Sequence, residues 1–311
     1  ESEAYAANIS MHKDIKFVSK INENKIALER IQNFYKSQQK SLLVRVINKL
    51  ARMLYGKNII NLKAPAKVNL FLKILEKDSS GYHKIETIMA RCTAMQDFLQ
   101  VEPAPEFSFE CTDFPGESNL VVKAIRLLEK ECGRRFNYKI KLEKHIPAQS
   151  GLGGASSNAA AIMLYLNETE SLGMSSEKLM KLAATIGMDI PFFLSGVQLA
   201  LASNYGEKIK PLKNLPDEIN INIQSGEEIS TQAAYEKWDK SDLKSTADIS
   251  QILDGIETQN TRKILEYLHN DFQLITPSFS SSSQTRHVLS GSGGAVAVFD
   301  VSNKSQPKIS K

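Results

Sequence analysis

A two-lobe α+β fold is what the sequence predicts, on three observations. Apolar residues alternate through 65–75, and further strand patterns follow at short range, which favours antiparallel pairing. Helical patterns interleave with the strands in mixed order rather than in strict alternation. A glycine-rich loop at 147–154 runs into an alanine-rich helix, and no internal repeat is present. The 311 residues suffice for a large core and for two lobes.

Composition narrows the function classes. Hydrophobic residues make up 42% and charged residues 24%, as in ordinary globular proteins. Lys plus Arg is 39 against 35 for Asp plus Glu, a formal +4, too mild a charge to argue for nucleic acid. The three cysteines, Cys92, Cys111 and Cys132, are far apart and lack paired ligand spacing. They read as reduced thiols of a cytoplasmic protein, not as disulfides or a zinc site. No apolar run reaches membrane-spanning length, and no secretory signal is visible.

Residues 1–60 read as a helical N-terminal extension. The stretch 22–38 is polar and helical, and 41–55 is a basic amphipathic helix. Leu43, Val46, Ile47, Leu50, Met53 and Leu54 form its apolar stripe, with Arg45, Lys49 and Arg52 off it. Such a helix suits packing on the main body or a partner better than a membrane surface. Glu1, Glu3, Asp14, Glu23 and Glu29 make the region too acidic for an organelle transit peptide.

The main body follows in two parts, 61–205 and 206–311. In the first strand Ala66, Val68, Leu70, Leu72 and Ile74 fall on one face, leaving Lys67 and Asn69 on the other. A turn at 78–81 leads to a strand at 83–89, with further strands at 98–101 and 107–111. A helix at 119–132 carries Leu120, Ala124, Leu127, Leu128 and Cys132 on its apolar side, and a strand spans 138–142. Ser175 or Ser176 caps a helix ending near 186. A turn at 187–191 and a strand at 196–202 complete the first part. The second part holds strands at 219–223 and 296–299, helices at 231–238 and 261–269, and a serine-rich loop at 278–283.

The loop Pro147-Ala148-Gln149-Ser150-Gly151-Leu152-Gly153-Gly154 predicts an anion cradle. Its glycines let the backbone turn tightly and approach a ligand. Ser156 and Ser157 stand where the helix should begin, free to cap it or to bind. A helix start offers unpaired N–H groups and a favourable dipole. No Gly-Lys-Ser/Thr follows, and the glycine spacing fails the dinucleotide fingerprint.

Further motifs accompany the loop: Pro65-Ala66-Lys67-Val68-Asn69, then Gly81-Tyr82-His83, then Gly187-Met188-Asp189-Ile190-Pro191, and Leu289-Ser290-Gly291-Ser292-Gly293-Gly294. In this order, over about 61–299, they resemble the GHMP kinases. Within that superfamily they resemble the branch acting on a CDP-linked methylerythritol in the non-mevalonate isoprenoid pathway. The resemblance implies a ribosomal-protein-S5-like first lobe, a ferredoxin-like second lobe, and ATP-dependent phosphorylation of the substrate's 2-hydroxyl. It assigns Asp189 as the base and Lys67 as its cationic partner. Pro147, Ser150, Gly151, Leu152, Gly153, Gly154, Ser156 and Ser157 would hold the ATP phosphates, with Ser156 also meeting Mg²⁺. Asn119 and Lys144 would border the adenine. Asn69, Tyr82, His83, Asn158, Gly291, Ser292 and Gly293 would face the substrate, Tyr82 and His83 at the cytosine.

Departures from the pattern are local. Gln149-Ser150 stands where more glycine is usual, and Ala155 replaces a glycine, which is costly only at positive φ. The second lobe is shortened after 270, which should leave apolar sheet surface uncovered. Another alcohol kinase of the superfamily, acting on homoserine or mevalonate, and a silent nucleotide-binding relative are the alternatives.

Overall fold

The computed structural model describes residues 59–224, 226, 229–276 and 285–301. The expectations for 1–58, for the serine tract at 278–283 and for the tail after Val301 fall outside the described residues. Among these residues one seven-stranded sheet and one three-stranded sheet are present.

The larger sheet is built on two long strands, β1 (Ile60–Lys77) and β2 (His83–Pro103), paired antiparallel. The sequence predicts two strands at 83–89 and 98–101; the structure has one. The register explains the difference. Pro65 pairs with Gln96 but Ala66 pairs with Cys92, so Thr93, Ala94 and Met95 form a bulge within one unbroken strand. A bulge bends a strand and increases its twist. Here it divides the sheet. Past the bulge, β2 pairs with β4 (Tyr138–Glu143), which carries β3 (Ser108–Glu110). Before it, β2 pairs with β5 (Leu199–Asn204), which carries β6 (Lys208–Pro211).

A second irregularity, between Asn69 and Phe71, breaks the alternation expected along β1. Ala66, Val68, Leu70 and Phe71 enter one core cluster, while Leu72 and Ile74 enter another. Both faces of the middle of β1 are covered, so Lys67 and Asn69 are buried rather than solvated.

Helices α1 (Leu120–Cys132) and α2 (Gly154–Thr169) share a core cluster with the sheet, as do α3 (Ser176–Ala183) and α4 (Ile190–Leu194). The buried stripe of α1 is Val121, Val122, Ala124, Ile125 and Leu128, rotated from the predicted one; Leu120 and Cys132 are only partly buried. Ser175 is the cap of α3, accepting from Lys178 N–H at 3.2 Å. Full burial of each Leu, Ile or Phe here contributes about 1.5–3 kcal/mol.

The smaller sheet has order β7-β10-β9, with β7 (Ile219–Gln224), β9 (Thr285–Leu289) and β10 (Val296–Val301) antiparallel. A ferredoxin-like unit has four strands, so this lobe is short by one among the described residues. Its central strand is nevertheless covered, contrary to expectation. Ala297 and Phe299 pack with Ile252, Ile256 and Ile264 of α6 (Ile249–Glu257) and α7 (Thr261–Glu266). Val296 and Val298 pack with Ala234 and Trp238 of α5 (Thr231–Asp239) and with Phe272. The expected helix at 261–269 stops at Glu266, and β8 (His269–Asn270) then joins β1 in parallel. This crossover ties the second part of the chain into the first sheet. Helix α6 and strands β6 and β9 lie outside the elements predicted from sequence: β6 and β9 are only four and five residues long, whereas α6 does carry a helical period in Ile249, Ile252, Leu253 and Ile256 that the predicted elements omit.

Candidate active site

One cavity of about 1190 Å³ lies where β1, the glycine loop, the start of α4 and helix α5 meet. The loop enters it with φ positive at Gln149 (50°), Gly151 (78°) and Gly153 (71°). Such an alternation turns successive N–H groups to one side, the geometry of an anion nest. Gln149 adopts this conformation without being glycine, which answers its departure from the family pattern. Ala155 lies inside α2, where its methyl is harmless.

Helix α2 starts at Gly154, with Gly153 at the cap position and no side-chain cap. The first turn's N–H groups are therefore left for a ligand. Ser156 lies within that turn, not at the cap, and lines the cavity. Ser157 corrects the prediction: it is 2% exposed and off the cavity wall, because one residue further around the helix turns its side chain into the core. Ser150 lines the cavity, but its hydroxyl donates to Pro147 O at 2.7 Å and stiffens the loop. Pro147, Leu152 and Gly154 line the cavity as well.

Lys67 is anchored to the loop through its backbone, N–H to Leu152 O at 2.8 Å. Its Nζ donates to Asn69 Oδ1 at 2.6 Å; Asn69 Nδ2 donates to Thr87 Oγ1 at 2.6 Å; the Thr87 hydroxyl donates to Phe71 O at 2.6 Å. This chain fixes the Asn69 amide and holds the ammonium in place. Asp189 Oδ2 lies 3.7 Å from Lys67 Nζ, with side-chain exposures of 35% and 4%. Asp189 occupies the cap position of α4 without making a cap hydrogen bond. Its carboxylate is thus held near a cation yet open to the cavity, as a general base requires.

At the far end Tyr82 is 72% exposed and meets Tyr205 edge-on, ring centroids 6.4 Å apart. The Tyr205 hydroxyl donates to Asp78, which also accepts Ser80 N–H at 2.8 Å and the Ser80 hydroxyl. The Ser80 hydroxyl, then that of Tyr205, holds the Asp78 carboxyl down to about 2, so this clamp on the turn before Tyr82 persists through ordinary acidity. His83 also lines the cavity, but both ring nitrogens are engaged: Nδ1 by Leu75 O at 2.6 Å and Nε2 by Asp239 Oδ1 at 2.7 Å. Its ring stacks on Tyr235 with centroids 5.5 Å apart. Any ligand edge that reaches this imidazole must therefore compete with Leu75 O or Asp239. Burial, and secondarily the Asp189 charge, pushes the Tyr235 phenol up to about 12; it keeps its proton at neutral pH.

Asn119 and Lys144 line the same cavity. Asn119 is also the cap of α1, accepting Val121 N–H at 2.9 Å and donating to Phe114 O at 2.9 Å. Asn119→Ala should cost about 1 kcal/mol of stability through the lost cap, measurable by urea denaturation. Gly291 and Ser292 line the cavity, whereas Gly293 does not. Gly293 backs onto Ser150 and Gly151: a Cβ there would lie 2.1 Å from Ser150 C. Its role is to let two loops touch. The residues that sequence reasoning missed are Thr87, Asp97, Tyr205, Tyr235 and Asp239. No motif encloses them, and tertiary packing alone brings them to the site.

No helix among the described residues is long and apolar enough to cross a membrane. The GHMP kinases N terminal domain matches residues 119–197. The 4-diphosphocytidyl-2-C-methyl-D-erythritol kinase of Thermoanaerobacter pseudethanolicus is 36% identical over 220 residues, 70% of this chain and 75% of that protein. A crystal structure of a 4-(cytidine 5'-diphospho)-2C-methyl-D-erythritol kinase superposes with TM-score 0.60 at 29% identity, covering 78% of this chain and 90% of that one. The fold alone is shared with a homoserine kinase from Cytophaga hutchinsonii, TM-score 0.58 at 17% identity, covering 80% of this chain and 87% of that one. With the two-lobe architecture, the glycine loop and the Lys67–Asp189 pair, these similarities show that the chain belongs to the 4-diphosphocytidyl-2-C-methyl-D-erythritol kinase family of GHMP kinases.

Proposed function

We propose that the protein transfers the γ-phosphoryl group of ATP to the 2-hydroxyl of 4-diphosphocytidyl-2-C-methyl-D-erythritol. The observation that carries this reading is the Lys67–Asp189 pair, 3.7 Å apart, open to a cavity that also holds a phosphate loop and an exposed aromatic. The hydroxyl attacks the γ-phosphorus as Asp189 takes its proton; the new O–P bond forms while the bond to the β-phosphate oxygen breaks, and ADP leaves. Lys67 offsets charge on the transferring group. Gly151, Gly153, Gly154 and Ser156 bind the phosphates, Asn119 and Lys144 flank the base of ATP, and Tyr82 stacks on cytosine. Asn69, Gly291 and Ser292 line the same cavity and would face the acceptor substrate.

No cluster of three or more His, Cys, Asp or Glu suited to a metal occurs among the described residues. The donors present fit Mg²⁺ carried by the ATP phosphates and its waters, with the Ser156 hydroxyl as the protein contact. That ion supplies charge neutralisation on the phosphate oxygens. The reading divides the catalytic body into a nucleotide-binding lobe, 61–205, and a second lobe, 206–311. Cys92, Cys111 and Cys132 are free thiols, which supports a cytoplasmic location.

ADP release from ATP with the CDP-linked substrate tests the reading. Turnover with that substrate and none with homoserine or mevalonate is expected; turnover with a plain alcohol alone would overturn it. Tyr82→Ala should raise KM for the CDP-linked substrate about tenfold, within the range for a lost stacking contact, and leave KM for ATP and the melting temperature unchanged.

A further inference from the structure

The residues around the cavity are not all held in the same way. Lys144 and Asn158, on its wall, are tied at 2.6 and 2.9 Å to the buried Asp97 carboxylate behind them. Asp189 has no such tie. It makes no cap hydrogen bond, and Lys67 Nζ at 3.7 Å is too far for a direct one. Its position therefore depends on helix α4, which it precedes. Ile190, Phe192, Phe193 and Leu194 bury α4 against the core. Hydrophobic burial is non-directional, so it leaves the slide and tilt of so short a helix unfixed.

Arg91 supplies the direction. It is the cross-strand partner of Lys67 in the β1–β2 ladder, so the two side chains leave the same face of the sheet. Arg91 Nη2 donates to Phe193 O at 2.5 Å and Nε donates to Val197 O at 2.9 Å. Its backbone N–H donates to Gln198 O at 2.9 Å. The guanidinium lies 5.8 and 5.7 Å from the ring centroids of Phe192 and Phe193, within cation–π range. Phe193 O is one of the end carbonyls of α4, which lack a partner inside the helix. The Phe193 ring reaches the phosphate loop: a Cβ on Gly153 would lie 3.1 Å from Phe193 Cε2 and 3.0 Å from Lys67 Cγ. One cross-strand pair thus meets both ends of α4, Lys67 facing Asp189 at its start and Arg91 holding its last turn. Burial pulls the Arg91 guanidinium down from the ordinary arginine value, and no carboxylate pairs with it among the described residues. Burying a cation without a counter-charge is costly unless its hydrogen bonds are met, and here carbonyls at and just after the end of α4 meet them.

We propose that Arg91 is a positioning residue for the phosphoryl transfer: by holding the end of α4 it fixes where Asp189 stands relative to Lys67 and the phosphate loop. Phe193 is four residues beyond Asp189, about 6 Å along a helix axis, so a shift at one end is passed to the other. Misplacing a reacting group by about 1 Å can cost about a hundredfold in rate. The inference rests on the kinase reading for the role of Asp189.

The test uses the full chain. Arg91→Met keeps an unbranched stem and removes the donors. It should lower kcat about tenfold, equivalent to about 1.4 kcal/mol, with both KM values within twofold. In an Asp189→Asn background the same change should cost less than twofold, because the group it misplaces no longer acts as the base. Arg91→Lys keeps the charge but lacks the fork that serves two carbonyls; it should lose about threefold, with the same dependence on background. A crystal structure of Arg91→Met should show Asp189 displaced from Lys67 by about 1 Å relative to wild type. Unchanged kcat in both variants overturns the proposal. So does an equal loss in the two backgrounds, the mark of a merely structural residue, and so does an unmoved Asp189 in the crystal structure. Should Arg91→Met fail to fold, Arg91→Lys carries the same comparisons. Because the crystal structure needs no turnover, a folded but inactive wild type would count against the reaction and leave the positioning to be decided by the displacement of Asp189.

Discussion

Asp189→Asn should lower kcat about a thousandfold, in the middle of the range for loss of a general base, and leave both KM values within about threefold. The substitution is nearly isosteric. Asp189 makes no cap hydrogen bond in α4, but its carboxylate faces the buried Lys67 ammonium, so the melting temperature should fall modestly as that cation loses its counter-charge. Lys67→Ala should cost a similar factor in kcat for a different reason, through loss of the cation beside the transferring group. It should also destabilise the protein by about 1–3 kcal/mol, because Asn69 Oδ1 then loses its buried donor while Thr87 still fixes the amide. In the proposed mechanism the two groups act on one transition state, so the double variant should be little slower than either single one. Rates and thermal melts on the three proteins check this. An Asp189→Asn protein retaining a tenth of wild-type kcat would remove Asp189 from the role of base.

These two residues are legible in the sequence only through the family resemblance their motifs carry: alone, a lysine on the polar face of a strand and an aspartate in the turn before Pro191 read as ordinary structural residues. The phosphate loop is legible more directly, since glycines at 151 and 153 and a following helix imply backbone geometry. The motif marks the helix start without its rotation; Ser156 and Ser157 differ by one position, and helical geometry sends one to the cavity wall and the other to the core. The long β2 was read as two strands because its bulge residues, Thr93 to Met95, break the alternation that signals a strand. Asp97 was missed beside that bulge, where Gln96-Asp97 resembles an ordinary turn. Tyr235 and Asp239 reach the site on α5, more than 150 residues from His83, and only tertiary packing relates them.

The same packing makes the steepest structural prediction. Two loops distant in sequence meet backbone to backbone: Ser290 Oγ donates to Gly151 O at 3.1 Å, and Ala295 N–H donates to Ser150 O at 3.1 Å. A Cβ on Gly151 would lie 1.7 Å from Ser290 O, and one on Gly293 would lie 2.1 Å from Ser150 C and 2.2 Å from Gly151 N. These are backbone atoms that cannot rotate aside, so an added methyl must drive the loops apart and break both hydrogen bonds. Gly151→Ala also forces alanine to φ near +78°, adding about 1–2 kcal/mol of backbone strain. Both variants should lose at least a hundredfold in kcat/KM, about 3 kcal/mol of transition-state stabilisation, and melt several degrees lower. Gly293→Ala is the sharper case, because Gly293 is off the cavity wall and can act only by moving the phosphate loop. Gly173→Ala provides the contrast: its φ is also positive, at 66°, but no atom lies within 4 Å of the new methyl. It should show the strain alone, with kcat/KM unchanged. If Gly293→Ala and Gly173→Ala behaved alike, the loop-to-loop contact would not be what shapes the phosphate site.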